Sequence, residues 1–198
     1  MALTRSMILF YKFYGLGLLA AVLVKTAKAD SMKTQKYAQD SSVIISRIML
    51  PQDANSAGIV HGGVVMKEID NAAGVTAVRH TRKICVTASI DRLDFYKPAF
   101  IGNLLTIKAG INYTGKTSME IGARVETEDL LTGVKIHLAS AYLTFVALGE
   151  DKKPVKVPPL KLVTEEEFRR NREALARKKL RLSEKQKESE CRMDSSKC

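Results

Sequence analysis

Cysteine is scarce in this chain of 198 residues, which has only Cys85, Cys191 and Cys198. They are odd in number and lack the paired spacing of a metal ribbon. Neither a disulfide framework nor a cysteine metal site is expected, and a reducing compartment suits them. Net charge is scarce where a folded core is expected. The whole chain carries +11, which taken alone would suggest nucleic acid or an anionic membrane as partner. Residues 42 to 149 hold eleven basic and nine acidic side chains, leaving +2 there, against +4 in residues 1 to 41 and +5 in residues 150 to 198. The excess lies in the flanks, so no nucleic-acid face is expected on the domain.

The run of apolar residues from Met7 to Val24 is interrupted only by Lys12. It is near the lower limit for a helix that spans a bilayer. A membrane anchor is one reading. A cleaved secretory signal ending after Ala29 and a mitochondrial presequence compete with it. Lys25, Lys28, Lys33 and Lys36 outnumber Arg5 across the run, a bias that leaves the following domain on the cytoplasmic side. The expected localisation is therefore cytoplasmic and membrane-anchored, with mitochondrial as the alternative.

Asp30 to Ser42 is polar and reads as a linker that closes an N-terminal region of residues 1–41. A strand-like run, Val43 to Leu50, ends at Pro51. Four further runs have strand character: Cys85 to Phe95, Leu105 to Tyr113, Met119 to Glu126 and Val134 to Leu148. The second and third alternate apolar and polar residues. The fourth is apolar on both faces, as expected of a strand inside a sheet. Pro154, Pro158 and Pro159 mark the exit from a domain of residues 42–150. In the remaining 151–198, Thr164 and Glu167 form a capping box that opens a charged helix with a thin apolar stripe, read as solvated and docked at most at one end.

Between the first strand and the others, Pro51 to His80 combines a loop of small and polar residues with a helical pattern. The helix opens at Gly62-Gly63, where first-turn N–H groups lack intrahelical acceptors and the helix dipole is positive. Val65, Ile69, Ala72, Ala73 and Thr76 fall at helical spacing, and Gly74 and Ala77 keep the surface narrow. Asp70 puts a carboxylate on this otherwise small-residue helix. An oxyanion donor and a carboxylate together suggest acyl chemistry.

The motifs Pro51-x-Asp53-x-Asn55-x-x-Gly58, His61-Gly62-Gly63, Asp70-Asn71-Ala72-Ala73, Val86-Thr87-Ala88-Ser89 and Gly115-Lys116-Thr117-Ser118-Met119-Glu120 resemble those of the cytosolic, or brain-type, acyl-CoA thioester hydrolases. The resemblance extends over roughly residues 42 to 182. It implies an α+β hotdog fold, an antiparallel sheet wrapped around a long central helix, and hydrolysis of fatty acyl-CoA to fatty acid and CoA. Asp70 matches the position that activates water or attacks the thioester, and Asn55 the position that assists. Lys116, Thr117 and Ser118 match the turn near the CoA phosphates. His61, beside the glycine pair at the helix start, is read as substrate-binding through the shape of the pocket, with direct chemistry as the alternative. No cofactor or metal is implied beyond the CoA of the substrate. The eukaryotic members carry two domains in tandem, whereas this chain has one and so resembles bacterial members whose subunits pair. Gly63 and Asp70 are about 10 Å apart along one helix at ~1.5 Å per residue, so one carbonyl cannot meet both. Composite sites in a homodimer, or in a trimer of dimers, are expected. A hotdog hydratase is the nearest enzymatic alternative, but Ser56 and Gly58 stand where its Pro and His would be. A non-catalytic acyl-CoA-binding or scaffold module is the other alternative.

Overall fold

The computed structural model describes residues 35–193, so the apolar run of residues 7–24 lies outside the described residues. No helix among the described residues is long and apolar enough to cross a membrane.

Five strands form one antiparallel sheet: β2 (Val43–Ile48), β3 (Ile84–Phe95), β4 (Leu104–Thr114), β5 (Ser118–Glu128) and β6 (Lys135–Leu148). Their order across the sheet is β2-β4-β5-β6-β3. β6 lies inside the sheet, as its two apolar faces require. β5 shows why the sheet has one dry face: Met119, Ile121, Ala123 and Val125 are buried on the side facing the core. The sheet curls around helix α1 (Gly62–Thr81), which packs on β2, β3, β4, β5 and β6. Val65, Ile69, Ala72, Ala73 and Ala77 form its buried face. Small residues bring the helix close to the strands. A Cβ at Gly74 would already lie 3.7 Å from the ring of Phe145. A long central helix wrapped by an antiparallel sheet is the hotdog fold.

Both ends of α1 are set locally. His61 is the N-cap, and its Nδ1 accepts from Gly63 N–H at 2.9 Å. At the other end Arg82 turns left-handed (φ 54°) and its N–H returns to Val78 O at 2.8 Å.

Two stretches differ from expectation. Described residues of the polar stretch before Ser42 do not form a free linker. Strand β1 (Lys36–Tyr37) pairs in parallel with β7 (Leu160–Lys161), and Lys36 Nζ donates to His80 O at 2.7 Å. A polar sequence docks here because it supplies a backbone donor to Pro159 O and an ammonium donor to His80 O at the end of α1. Helix α2 (Glu165–Met193) opens with the expected capping box, since Glu167 N–H donates to Thr164 Oγ1 and Thr164 N–H to Glu167 Oε2. It is not simply solvated. Asn171 donates to Asn112 O of β4, Arg177 pairs with the buried Glu120 of β5 at 2.7 Å, and Arg181 pairs with Asp91 of β3. The Arg177 guanidinium also stacks 3.6 Å above the Tyr142 ring of β6. Polar groups and the buried Ala174 hold this helix across the outer sheet face, so its thin apolar stripe understated the docking.

Candidate active site

The loop before α1 is pinned from both sides. Arg47 of β2 reaches the carboxylates of Asp53 in the loop and Glu68 on the helix, the latter at 2.7 Å. Asp53 also accepts from Leu50 N–H at 2.8 Å, and its own carbonyl accepts from His61 N–H at 2.8 Å. The Leu50 N–H first, then Arg47, hold the Asp53 carboxyl below its ordinary range against the opposing effect of burial. Asp53 is therefore a charged anchor that sets where the helix begins.

Within this frame Asn55 closes a tight turn on itself. Its Oδ1 accepts from Ala57 N–H at 2.9 Å and from Ile59 N–H at 3.3 Å, and Gly58 completes the turn at φ +75°. The amide oxygen is used up by the loop. The Nδ2 hydrogens are left as donors. Asn55 and Gly62 line one cavity of about 360 Å³, together with Val65, Phe95, Tyr96 and Leu138.

Gly62 and Gly63 differ in role. Gly63 N–H is taken by His61 Nδ1, and a Cβ at Gly63 would lie 3.0 Å from that atom. The bond assigns the neutral His61 ring its proton on Nε2. Gly62, at the first helical position, has no acceptor within its own helix for its N–H. It is a first-turn donor on a residue that lines the cavity.

Asp70 lies half-exposed in a different cavity of about 530 Å³, walled by Val75, Val78, Val86 and Phe145, with Arg79 and Arg82 further along. Thr87 Oγ1 of β3 donates to Asp70 Oδ1 at 2.6 Å. Cys85 borders the same cavity, but burial pushes its thiol up despite the hydrogen bond with Thr81. The carboxylate is the base this cavity offers. Thr87 has no role assigned by the Val86-Thr87-Ala88-Ser89 motif alone. Its signal was its place in a strand run that begins four residues after the helix.

The structure therefore joins Asn55 with Gly62 and Asp70 with Thr87, and leaves the two pairs in separate cavities of one chain. Lys116, Thr117 and Ser118 form the β4–β5 turn and line neither cavity. The carbonyls of Lys116 and Thr117 accept from Val157 and Ala147 N–H. No group of three or more His, Cys, Asp or Glu among the described residues is placed to hold a metal.

A central helix in a curled sheet, with paired polar groups at its start and middle, fits the thioesterase class of hotdog proteins. The comparisons agree. Residues 57–134 match the Thioesterase superfamily. The protein VdlD of Helicobacter pylori is 40% identical over 144 residues, 73% of this chain and 82% of that one. The cytosolic acyl coenzyme A thioester hydrolase of Rattus norvegicus is 36% identical over 146 residues, 73% of this chain but 38% of that longer protein. The chain thus belongs to the thioesterase superfamily. Among solved structures, an apo-hexameric acyl-CoA thioesterase shares 39% identity at a TM-score of 0.74, covering 76% of this chain and 97% of that one. The acyl-CoA hydrolase of Staphylococcus aureus, solved with butyryl coenzyme A, shares 31% identity at 0.75, covering 82% and 99%. Variants of that enzyme replace an Asn, an Asp and a Thr by Ala. Those three positions are spaced along its chain as Asn55, Asp70 and Thr87 are spaced here.

Proposed function

We propose that this protein is an acyl-CoA thioesterase that hydrolyses fatty acyl-CoA to fatty acid and CoA at sites shared between two copies of the chain. The observation that carries this reading is the separation of the two polar pairs. Gly62 and Asp70 are about 12 Å apart at ~1.5 Å per residue of helix, whereas a reacting carbonyl needs its donor and base within ~3 Å.

Strand β3 supports the way a second copy would supply the missing half. It pairs with β6 on one side, and no partner strand lies on its other side among the described residues. Ile84, Val86, Ile90 and Phe95 are exposed along it. A twelve-residue edge strand with these exposed apolar side chains invites pairing. Antiparallel pairing with a second β3 about a two-fold axis sets the Thr87 half of one strand against the Phe95 half of the other. Asp70 of one chain then meets Asn55 and Gly62 of the other, twice per dimer. A trimer of such dimers is the larger assembly proposed.

In this reading water attacks the thioester carbon and Asp70 takes its proton. Thr87 holds one carboxylate oxygen so that the other faces the water. Asn55 Nδ2–H and Gly62 N–H of the second copy receive the oxyanion, a contribution of about 3 kcal/mol per donor. The C–S bond breaks on collapse, and the CoA thiolate recovers the proton from Asp70. Lys116, Thr117 and Ser118 are proposed near the nucleotide end. Cytoplasmic placement and membrane contact through residues 7–24 belong to the same reading and rest on the sequence.

Complementation tests the shared site. Asp70→Ala and Asn55→Ala homodimers are each expected to release almost no thiol from palmitoyl-CoA. Mixing them through a dissociation and reassociation cycle regenerates one intact site per mixed dimer, giving about a quarter of wild-type activity at equal amounts. Two inert variants that stay inert on mixing would refute sharing. Wild-type protein that binds palmitoyl-CoA without thiol release would favour a binding module.

A further inference from the structure

The geometry points to Arg79 and Arg82 as a phosphate clamp at the mouth of the Asp70 cavity, which fixes the end at which the nucleotide of a CoA thioester sits. This rests on the acyl-CoA reading above. The cavity is amphipathic along its length. It begins at Asp70 and Thr87, passes Val75, Val78, Val86 and Phe145, and reaches Arg79 and Arg82. Asp70 is the one carboxylate in its lining, at the opposite end from the arginines.

Neither arginine is neutralised by an ion pair in the described residues, although Arg47, Arg124, Arg169, Arg170, Arg177 and Arg181 each have one. Arg79 spends one hydrogen on Ser42 O at 3.1 Å and keeps its other donors. Arg82 and the ammonium of Lys36 lie close enough for Arg82 to help lower the Lys36 pKa, after the larger effect of burial. The C-terminal dipole of α1 welcomes cations, but its weak effect at an exposed site does not require two of them on a cavity wall. An oxyanion with a planar, bidentate match to guanidinium does.

Length supports the same assignment. Arg79 and Arg82 lie roughly 13 and 18 Å beyond Asp70 along the helix axis. An extended pantetheine arm reaches about as far as four to five extended residues, roughly 15 Å. A thioester carbonyl at Asp70 therefore leaves the pyrophosphate at the arginines, with the uncharged arm against the valines. An acyl chain laid in the same direction would end on two cations. Lys116 lies at the same end of the sheet, because Ser118, Val146 and Val86 are in register across β5, β6 and β3. It lines neither cavity.

Calorimetric titration of the full chain with CoA and with pantetheine tests the clamp in wild type, Arg79→Gln, Arg82→Gly and Lys116→Ala. Glycine suits the left-handed backbone at Arg82. Each arginine variant is expected to weaken CoA binding about tenfold or more and to leave pantetheine binding unchanged. Added salt should weaken CoA but not pantetheine. Unchanged CoA affinity in both arginine variants, equal loss of CoA and pantetheine, or dependence on Lys116 alone would each overturn the assignment. Thiol release from palmitoyl-CoA is read separately. Arginine-dependent CoA binding without turnover would keep the clamp and refute the thioesterase reading, and turnover with arginine-independent binding would do the reverse.

Discussion

Thr87 Oγ1 donates to Asp70 Oδ1 across 2.6 Å, joining strand β3 to the middle of the central helix. A carboxylate held by one oxygen has the other fixed in direction, which general-base work needs. Thr87→Ala removes the tether and leaves the proposed base, so kcat is expected to fall about tenfold with little change in KM. Thr87→Ser keeps the hydroxyl and should recover most of the rate. Asp70→Asn removes the proposed base and is expected to cost about 10² to 10⁴ in kcat. Steady-state thiol release at saturating palmitoyl-CoA gives all three. Equal losses for Thr87→Ser and Thr87→Ala would point to packing and not to the hydrogen bond.

Asn55 separates loop structure from the proposed chemistry, because its two amide ends are assigned different tasks. Oδ1 ties Ala57 and Ile59 N–H, and Nδ2 is left as a donor on a residue that lines the cavity. Asn55→Asp retains an acceptor for the loop and deletes the donor. Its melting temperature should stay near wild type while kcat drops on the order of 10² or more. Asn55→Ala loses both functions and should also lower the melting temperature. If Asn55→Asp kept its activity, the donor role would be lost.

The helix start at Gly62, the five strands and the position of β6 were legible in the sequence because each rests on a local pattern. A glycine pair, a period of two and an apolar run on both faces report backbone conformation directly. The partition of the site was legible only as a spacing along one helix. Which N–H stays open was not legible, since Gly62 and Gly63 look alike until His61 folds back onto the second. Thr87 was hidden for a related reason: its partner lies 17 residues earlier, and only the chain reversal through Arg82 brings the two together. The docking of α2 escaped because Arg177 and Arg181 meet Glu120 and Asp91, and charged residues on a helix normally read as a solvated face.

Arg177 illustrates what that docking costs to disturb. Glu120 is almost fully buried, bonded to Asn112 Nδ2 at 3.1 Å and to Arg177 at 2.7 Å. Arg177→Ala strands a buried carboxylate and is expected to destabilise the fold by about 3 kcal/mol. Adding Glu120→Gln should return most of that loss, because the amide keeps the Asn112 contact without a charge. Urea unfolding of both variants checks this. If Arg177→Ala changed the unfolding free energy by less than about 0.5 kcal/mol, the pair would count as a surface bridge.

His80 sets the acid side of stability through burial. It is fully buried at the end of α1, with Nε2 against Pro158 O at 2.9 Å, Nδ1 3.4 Å from Ser41 Oγ, and Lys36 on its carbonyl. Burial lowers its pKa most; Lys36 adds to this, while the Pro158 carbonyl and Asp40 oppose. The folded ring therefore stays neutral where the unfolded ring, near its ordinary value of about 6.5, binds a proton. Below about pH 6.5 the unfolded state holds more protons, so stability falls with falling pH, and above it this residue adds no slope. Carboxylates held down in the fold act lower. Glu126, brought to about 2 by Arg124 and Lys108, loses its contribution only below about pH 4.5. The interval from about pH 5 to 6.5 thus isolates His80. His80→Gln keeps a donor for Pro158 O and cannot ionise, so its unfolding free energy should be flat across that interval while wild type declines. Parallel slopes in the two proteins would assign the acid sensitivity elsewhere.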